Sequence, residues 1–383
     1  MRELIPMLAL AAASGQTPFH QKAVFEQRPV VTIANGKVEL TINQQGGAFV
    51  NLVLLDDAER LSPLWNPVRN AREAGEANRF GEAFGHFVCV DGFGPGSAEE
   101  QAAGLPGHGE AYEQPWEILQ SRKDGHTGTL AFHAHLPLVH ENFARTLRMV
   151  EGENVIYVES ALESELAFDR PISWAEHTTI GSPFLEAGAT VSSLSGSRAQ
   201  TRPYQETGPS AMTRRLASGR DFTWPMAPGL GGEWIDLTAP PENPHYLDHA
   251  TVLVDPGLRL GWIASVNTVK HLVIGYVFKR EEFPWVQNWG SYPATGKFAR
   301  GLELSTQPYD EPRREAVARN GMFGAPTFRW LPAKSILRSN FLLFYAHTPE
   351  VFGKVVNLRM ENGQIVIEDG AGKRITLSAS LPL

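Results

Sequence analysis

The stretch VVTIANGKVELTINQQGGAFVNLVLLDD, beginning at Val30, constrains the fold of this chain more than any other segment. Apolar and polar residues alternate, break at Asn35-Gly36, alternate again, break at Gly46-Gly47 and resume. Period-two alternation sets one face of a strand against a core, and an Asn-Gly pair between two such runs is a strong hairpin signal. Further strands are expected in TGTLAFHAHLPL, FARTLRMVEGENVIYVESALES, HATVLVD, LRLGWIASV, HLVIGYVFK, SILRSNFLLFYAH and GQIVIEDGAGKRITLSA, with a second tight turn across Glu151–Asn154. No long segment carries the apolar spacing of an amphipathic helix, which argues against a βαβ fold or a bundle. The expected class is therefore all-β: one large antiparallel β-sandwich spanning residues 25–383, with a polar cleft over one sheet.

Composition narrows the partners. With 383 residues the chain can bury a large core, and its formal charge of −8, without any basic run, argues against a nucleic-acid binder. The single cysteine, Cys89, excludes an internal disulfide and a thiolate zinc cluster. It lies in the apolar stretch GHFVCVDGF and reads as a small core residue. No stretch reaches the ~20 apolar residues of a membrane span. The opening MRELIPMLALAAASGQTPF resembles a short secretory leader over residues 1–16, and a disordered or helical arm is the alternative. A leader would direct the protein to the periplasm or outside the cell; without one it would be cytoplasmic.

Two long Gly/Pro-rich segments, DGFGPGSAEEQAAGLPGHGEAYEQPW and RAQTRPYQETGPSAMTRRLASGRDFTWPMAPGLGGEW, read as loops long enough to shape a pocket. Three polar clusters stand beside turns and aromatic residues: PGHGEAYEQPWEI with His108, SWAEHTTIGSPFL with His177, and GLELSTQPYDEPRREA with Glu303. The second has neither a helical pattern nor a clean strand alternation, and Gly181 and Pro183 suggest an irregular turn that would let Glu176 and His177 face one pocket. His133 and His135 share one strand face, which reads as surface alternation rather than a metal pair. DGFGPG has no helix expected after it, so a phosphate cradle fails, and no Gly-x-Ser-x-Gly elbow is present.

The order and context of these motifs resemble the galactose mutarotase-like (aldose 1-epimerase) superfamily, as a divergent branch, from about Val30 to the C-terminus. NGKVELTINQQGGAFVNLVLLDD running on to LWNP is similar to that family's opening hairpin. The resemblance implies a supersandwich fold and cofactor-independent interconversion of the anomers of a free sugar. It assigns His177, in WAEHTTIGSPFL, as acid on the ring oxygen and Glu303, in GLELSTQP, as base on the anomeric hydroxyl. It further implies sugar binding by Arg79 of ANRF, His108 of GHGEAYEQPW and Asp248 of YLDHATVLV. Trp116, Trp174, Trp285 and above all Trp289 are candidates for stacking on the sugar. Two departures stand out: Glu176 precedes the histidine, and Leu304-Ser305 separate Glu303 from Thr306-Gln307. The implied partner is a monosaccharide or short saccharide, with no cofactor or metal and the oligomeric state left open. The alternatives are a non-catalytic carbohydrate-binding protein on the same fold and a glycoside hydrolase or polysaccharide lyase.

Overall fold

The structure, a computed structural model, describes residues 18–204 and 213–383. The leader read over residues 1–16 lies outside them. Two large sheets face each other, of fourteen and eight strands. The larger begins with the meander Gln21–Phe25, Arg28–Ala34, Val38–Asn43 and Phe49–Leu54, then runs through His86–Val90, Trp174–Gly181, Ala299–Ser305, Trp285–Tyr292, Tyr246–Val254 and Gly196–Thr201. The second carries Thr190–Leu194, Leu260–Asn267, Leu272–Lys279, Ile336–His347, Val155–Ser164, Glu141–Val150, Thr127–Leu136 and Glu117–Asp124. The ladders are antiparallel except for Thr213–Arg214 beside Tyr246–Leu247. This is the all-β sandwich expected from the alternation.

The main core lies between the sheets, where Leu40, Leu52, Val88, Trp174 and Leu302 of one meet Phe143, Leu147, Ile274 and Phe341 of the other. A third layer was not anticipated. The C-terminal strands Val355–Glu361, Gln364–Asp369 and Arg374–Ser378 form a small sheet of their own. Leu358, Ile365, Ile367 and Leu377 pack on Tyr157, Trp262, Val277 and Phe344, which point away from the main core. The part of the second sheet beneath this layer is thus buried on both faces, which is why Leu272–Lys279 reads as a near-continuous apolar run.

Three expectations change at the local level. The segment around His177 is no irregular turn but a regular strand, Trp174–Gly181, buried at every position. Its sequence lacks alternation because both faces are covered, each partly by polar groups. Trp174 and Ile180 join the main core, while Ala175 packs with Phe87 and Cys89 on the opposite face. Within RAQTRPYQETGPSAMTRRLASGRDFTWPMAPGLGGEW, read as a loop, Gly196–Thr201, Asp221–Thr223, Met226–Pro228 and Trp234–Asp236 extend the larger sheet. DGFGPG is followed by a short helix, Ala98–Ala102, whose N-terminus is closed by a Ser97–Glu100 capping box. Cys89 is fully buried, as expected. Among the described residues no helix is long and apolar enough to cross a membrane.

A charged network ties the two sheets together. Arg145 donates to both carboxylate oxygens of Glu176, at 2.7 and 2.9 Å, and its Nε donates to Ser160 at 3.1 Å. Its guanidinium lies among the rings of Phe49, Phe143 and Phe341, 5.4 to 6.0 Å from their centres. His86 donates from Nε2 to Glu176 at 2.9 Å, Trp174 donates from Nε1 at 3.2 Å, and Tyr276 lies 3.3 Å from Nδ1 of His86. Burial raises the Glu176 pKa, but Arg145 and the donors from His86 and Trp174 outweigh it and leave the carboxyl below its ordinary range. Burial lowers the His86 pKa, against an upward pull from Glu176. Removing one member of a buried pair strands the other charge, so Arg145→Leu is expected to lower stability by about 3–5 kcal/mol in chemical denaturation. Replacing Arg145 and Glu176 together with apolar residues should lose less. Because the folded Glu176 pKa is depressed, its contribution is present above the ordinary carboxylate pKa and is lost as pH falls through the folded value. Equal stability of Arg145→Leu and the parent would contradict this account.

Candidate active site

Five neighbouring strands of the larger sheet turn one face away from the sandwich core, and register sets a row of side chains across it. Phe87 is opposite His177, and Gln287 opposite Glu303 and Thr251. The ladder that pairs Glu176 with Leu304 and Thr179 with Gly301 sets His177 opposite Glu303. The two side chains meet with Nε2 of His177 3.3 Å from Oε1 of Glu303. Gly301, two residues before Glu303 on the same face, makes this possible. A Cβ there would lie 2.0 Å from Oε1 of Glu303.

Around this pair is a cleft of about 140 Å³ lined by Trp65, Phe80, Ala83, Phe87, His108, His177, His249, Trp289, Glu303 and Asp310. Phe87 stacks on the His177 ring at 4.3 Å between centroids, with an angle of 20°. The His177 ring centre lies 5.3 Å from that of His108 and 6.2 Å from that of Trp289. Aromatic walls with a few convergent polar groups are the usual make-up of a small-molecule site.

Hydrogen bonding sets the histidine tautomers. Thr179 can donate to the carbonyl of its neighbour His177 at 3.5 Å, so its oxygen accepts from Nδ1–H of His177 at 2.7 Å. Nε2 of His177 is then the lone-pair nitrogen facing Glu303. His108 sits at φ +67°, uncommon for a side-chain-bearing residue, and its Nδ1 accepts from the Gly94 N–H at 3.3 Å. The proton of His108 is therefore on Nε2. Burial lowers the His108 pKa to about 4, against a smaller upward pull from Asp310. Burial likewise pushes His177 well below the ordinary histidine range, reinforced by His108. Burial pushes Glu303 well above the ordinary carboxylate range, and Asp310 adds to it. Burial thus disfavours the charged form of both facing groups, the carboxyl and the imidazole being shifted in opposite directions. Oε1 of Glu303 has no hydrogen-bond partner among the described residues, leaving it available to a ligand hydroxyl.

The structure brings together His108, His177, Trp289 and Glu303, and places the other sequence candidates elsewhere. Asp248 is fully buried on the core side of its strand, where Arg215 donates to both its oxygens at 2.8 and 2.6 Å. Its neighbour His249 takes the outward position. Arg79 is exposed and not among the lining residues, whereas the next residue, Phe80, is. Glu176, one residue from His177, faces the opposite side of the sheet, as alternation demands. It therefore makes no direct contact with the imidazole. Trp116, Trp174 and Trp285 are buried in packing roles. Sequence reasoning missed Trp65, Phe87, His249 and Asp310. Strand parity would have found His249, since Asp248 and His249 cannot both face the cleft. Among the described residues no three His, Cys, Asp or Glu side chains are grouped to hold a metal ion.

No protein-family model and no curated protein sequence matches the chain. Solved structures do. A candidate aldose 1-epimerase from Klebsiella pneumoniae superposes with a TM-score of 0.59 at 12% identity, covering 86% of this chain and 83% of that one. A galactose mutarotase-like protein from Clostridium acetobutylicum gives 0.58 at 12% identity, over 86% and 99% of the two chains. One from Lactobacillus casei gives 0.54 at 14% identity, over 83% and 100%. The chain therefore has the galactose mutarotase-like fold, at a sequence distance at which fold alone is shared.

Long-range ¹H–¹⁵N correlation spectra should show His108 as the Nε2–H form, neutral until the pH approaches about 4, and His177 as the Nδ1–H form. Titration of His108 near the ordinary value of about 6.5 would overturn the reading.

Proposed function

We propose that the protein is an aldose 1-epimerase, interconverting the anomers of a free sugar by acid/base ring opening. The observation that carries this is the opposition of His177 and Glu303 at 3.3 Å on the floor of an aromatic cleft. The reaction needs one group to take the proton of the anomeric hydroxyl while another protonates the ring oxygen. The bond between the anomeric carbon and the ring oxygen then breaks and an open-chain aldehyde forms. Rotation about the adjacent carbon–carbon bond presents the other face of the carbonyl, and the two protons return along the same route.

A pair holding one proton suits this cycle. With the sugar bound, Glu303 as carboxylate takes the hydroxyl proton and His177 as imidazolium gives one to the ring oxygen. Before the sugar binds, burial disfavours both charged forms, which favours holding that proton on the carboxyl. The two arrangements differ by one proton transfer, and each half-reaction leaves the total on the pair unchanged. His108, neutral with Nε2–H outward, donates to the oxygen that gathers negative charge as the ring opens. Trp289 offers a ring face to the apolar side of the sugar.

Both His177→Asn and Glu303→Gln should lower turnover by about 10²–10⁴-fold, measured as NMR exchange between anomers across a panel of aldoses. Parental turnover from either variant would sink the assignment. Binding of sugars without acceleration of any anomer exchange would instead favour a carbohydrate-binding protein.

The pH profile should be a broad plateau. Activity requires one proton on the pair, so it falls on the acid side when a second proton binds and on the alkaline side when the last one leaves. The acid limb should lie below the ordinary histidine pKa and the alkaline limb above the ordinary carboxylate pKa, following the two shifts. A single limb centred near the ordinary histidine pKa would contradict the shared proton.

A further inference from the structure

Two carboxylates face the cleft, and only Glu303 has a task in the proposed chemistry. The second, Asp310, follows the Glu303 strand in the segment Thr306–Asp310, which no strand periodicity marks. We propose that Asp310, clamped by Arg202, is the specificity-determining residue that grips the ring hydroxyls of the bound sugar, the task the sequence resemblance gave to Asp248. This inference rests on the reading of the cleft as a sugar site.

Three observations carry it. The first is availability. Asp248 is fully buried and spent on Arg215, whereas the Asp310 side chain keeps 25% of its surface exposed at the cleft. The second is rigidity. Nε of Arg202 donates to Oδ1 of Asp310 at 2.5 Å and its Nη2 donates to the Asp310 carbonyl at 2.7 Å, so side chain and backbone are held by one guanidinium. His249 adds Nε2 at 3.5 Å from the same Oδ1, while its proton goes to Gln287 at 2.8 Å. The side-chain contacts fall on Oδ1, and among the described residues Oδ2 makes no hydrogen bond, which leaves it for a ligand. An acceptor fixed before binding avoids the entropy cost of ordering a mobile one.

The third is coupling to His108. Gly94 lies against Asp310 so closely that a Cβ would come within 2.6 Å of the Asp310 Cβ. The same glycine donates its N–H to His108 and thereby fixes its tautomer. One residue thus sets both a hydroxyl acceptor, Asp310, and a hydroxyl donor, His108, at one side of the cleft. A sugar ring bearing adjacent hydroxyls can bridge the two, which aligns its anomeric end with His177 and Glu303.

The test is binding of D-glucose, D-galactose and their monodeoxy derivatives to the parent and to Asp310→Asn, by calorimetry or saturation-transfer NMR. Asparagine keeps an oxygen acceptor for Arg202, so the local fold is preserved, and thermal melts compare the two proteins. Losing a hydrogen bond from a sugar hydroxyl to a charged acceptor should weaken binding of the better aldose about tenfold or more. Turnover should fall by less than KM rises. For the deoxy sugar that lacks the gripped hydroxyl, parent and variant should bind alike. Equal affinity of both proteins for every aldose would overturn the proposal, as would a uniform loss that no deoxy position relieves. The readout is separate from catalysis. Parent protein that binds aldoses without accelerating anomer exchange would overturn the epimerase reading, while the deoxy comparison would still decide the role of Asp310.

Discussion

The ion pair of Arg145 and Glu176, buried between the two sheets, is the interaction on which the rest of the arrangement turns. A carboxylate and a guanidinium in an apolar interior are tolerated only when each satisfies the other, so their positions are tightly specified. Arg145 comes from the second sheet and Glu176 from the middle of the first. Joining them sets how the sheets face one another, and it pins the strand Trp174–Gly181 in one register. A slip of one residue would turn Glu176 outward and carry His177 into the core, stranding both.

From that register the cleft follows by alternation. His177 faces out because Glu176 faces in, and Glu303 faces out because Leu302 and Leu304 belong to the main core. His249 faces out because Asp248 faces in, and Trp289 because Val286 and Tyr292 pack inward. The rows of two antiparallel ladders then bring His177 and Glu303 together although 126 residues separate them (303 − 177). Low dielectric does the remainder: burial lowers the imidazole pKa and raises the carboxyl pKa. The same face shows how a sheet and its loops divide the labour. Strands supply His177 and Glu303 at fixed spacing, while loops supply His108 and Asp310, whose positions depend on close packing at Gly94.

Much of the fold was legible along the chain. Strands with one face in water, such as Thr127–Leu136 and Glu141–Val150, announce themselves by alternation, and the Asn35-Gly36 break does mark a turn, with Gly36 at φ +86°. The strand that matters most was not legible as a strand, because Trp174–Gly181 is buried on both faces and its polar residues serve the core as well as the cleft. The site was partly legible through residue type and order, which brought His108, His177, Trp289 and Glu303 into view. Asp248 and Arg79 illustrate the limit. Each lies next to a residue that lines the cleft, His249 and Phe80, and a motif does not state which of two neighbours points inward.

By itself, then, the sequence determined an all-β sandwich, the absence of an internal disulfide from a single cysteine, and a short set of polar residues set among turns and aromatics. Those are consequences of local pattern and composition, which a linear chain displays directly. Tertiary structure alone decided the facing of Glu176 and Asp248 into the core, the meeting of His177 with Glu303, the recruitment of Asp310 by Arg202 and the third layer of C-terminal strands. Each of these depends on contacts between residues far apart in the chain, and on burial, which shifts proton affinities only once the surrounding atoms are in place.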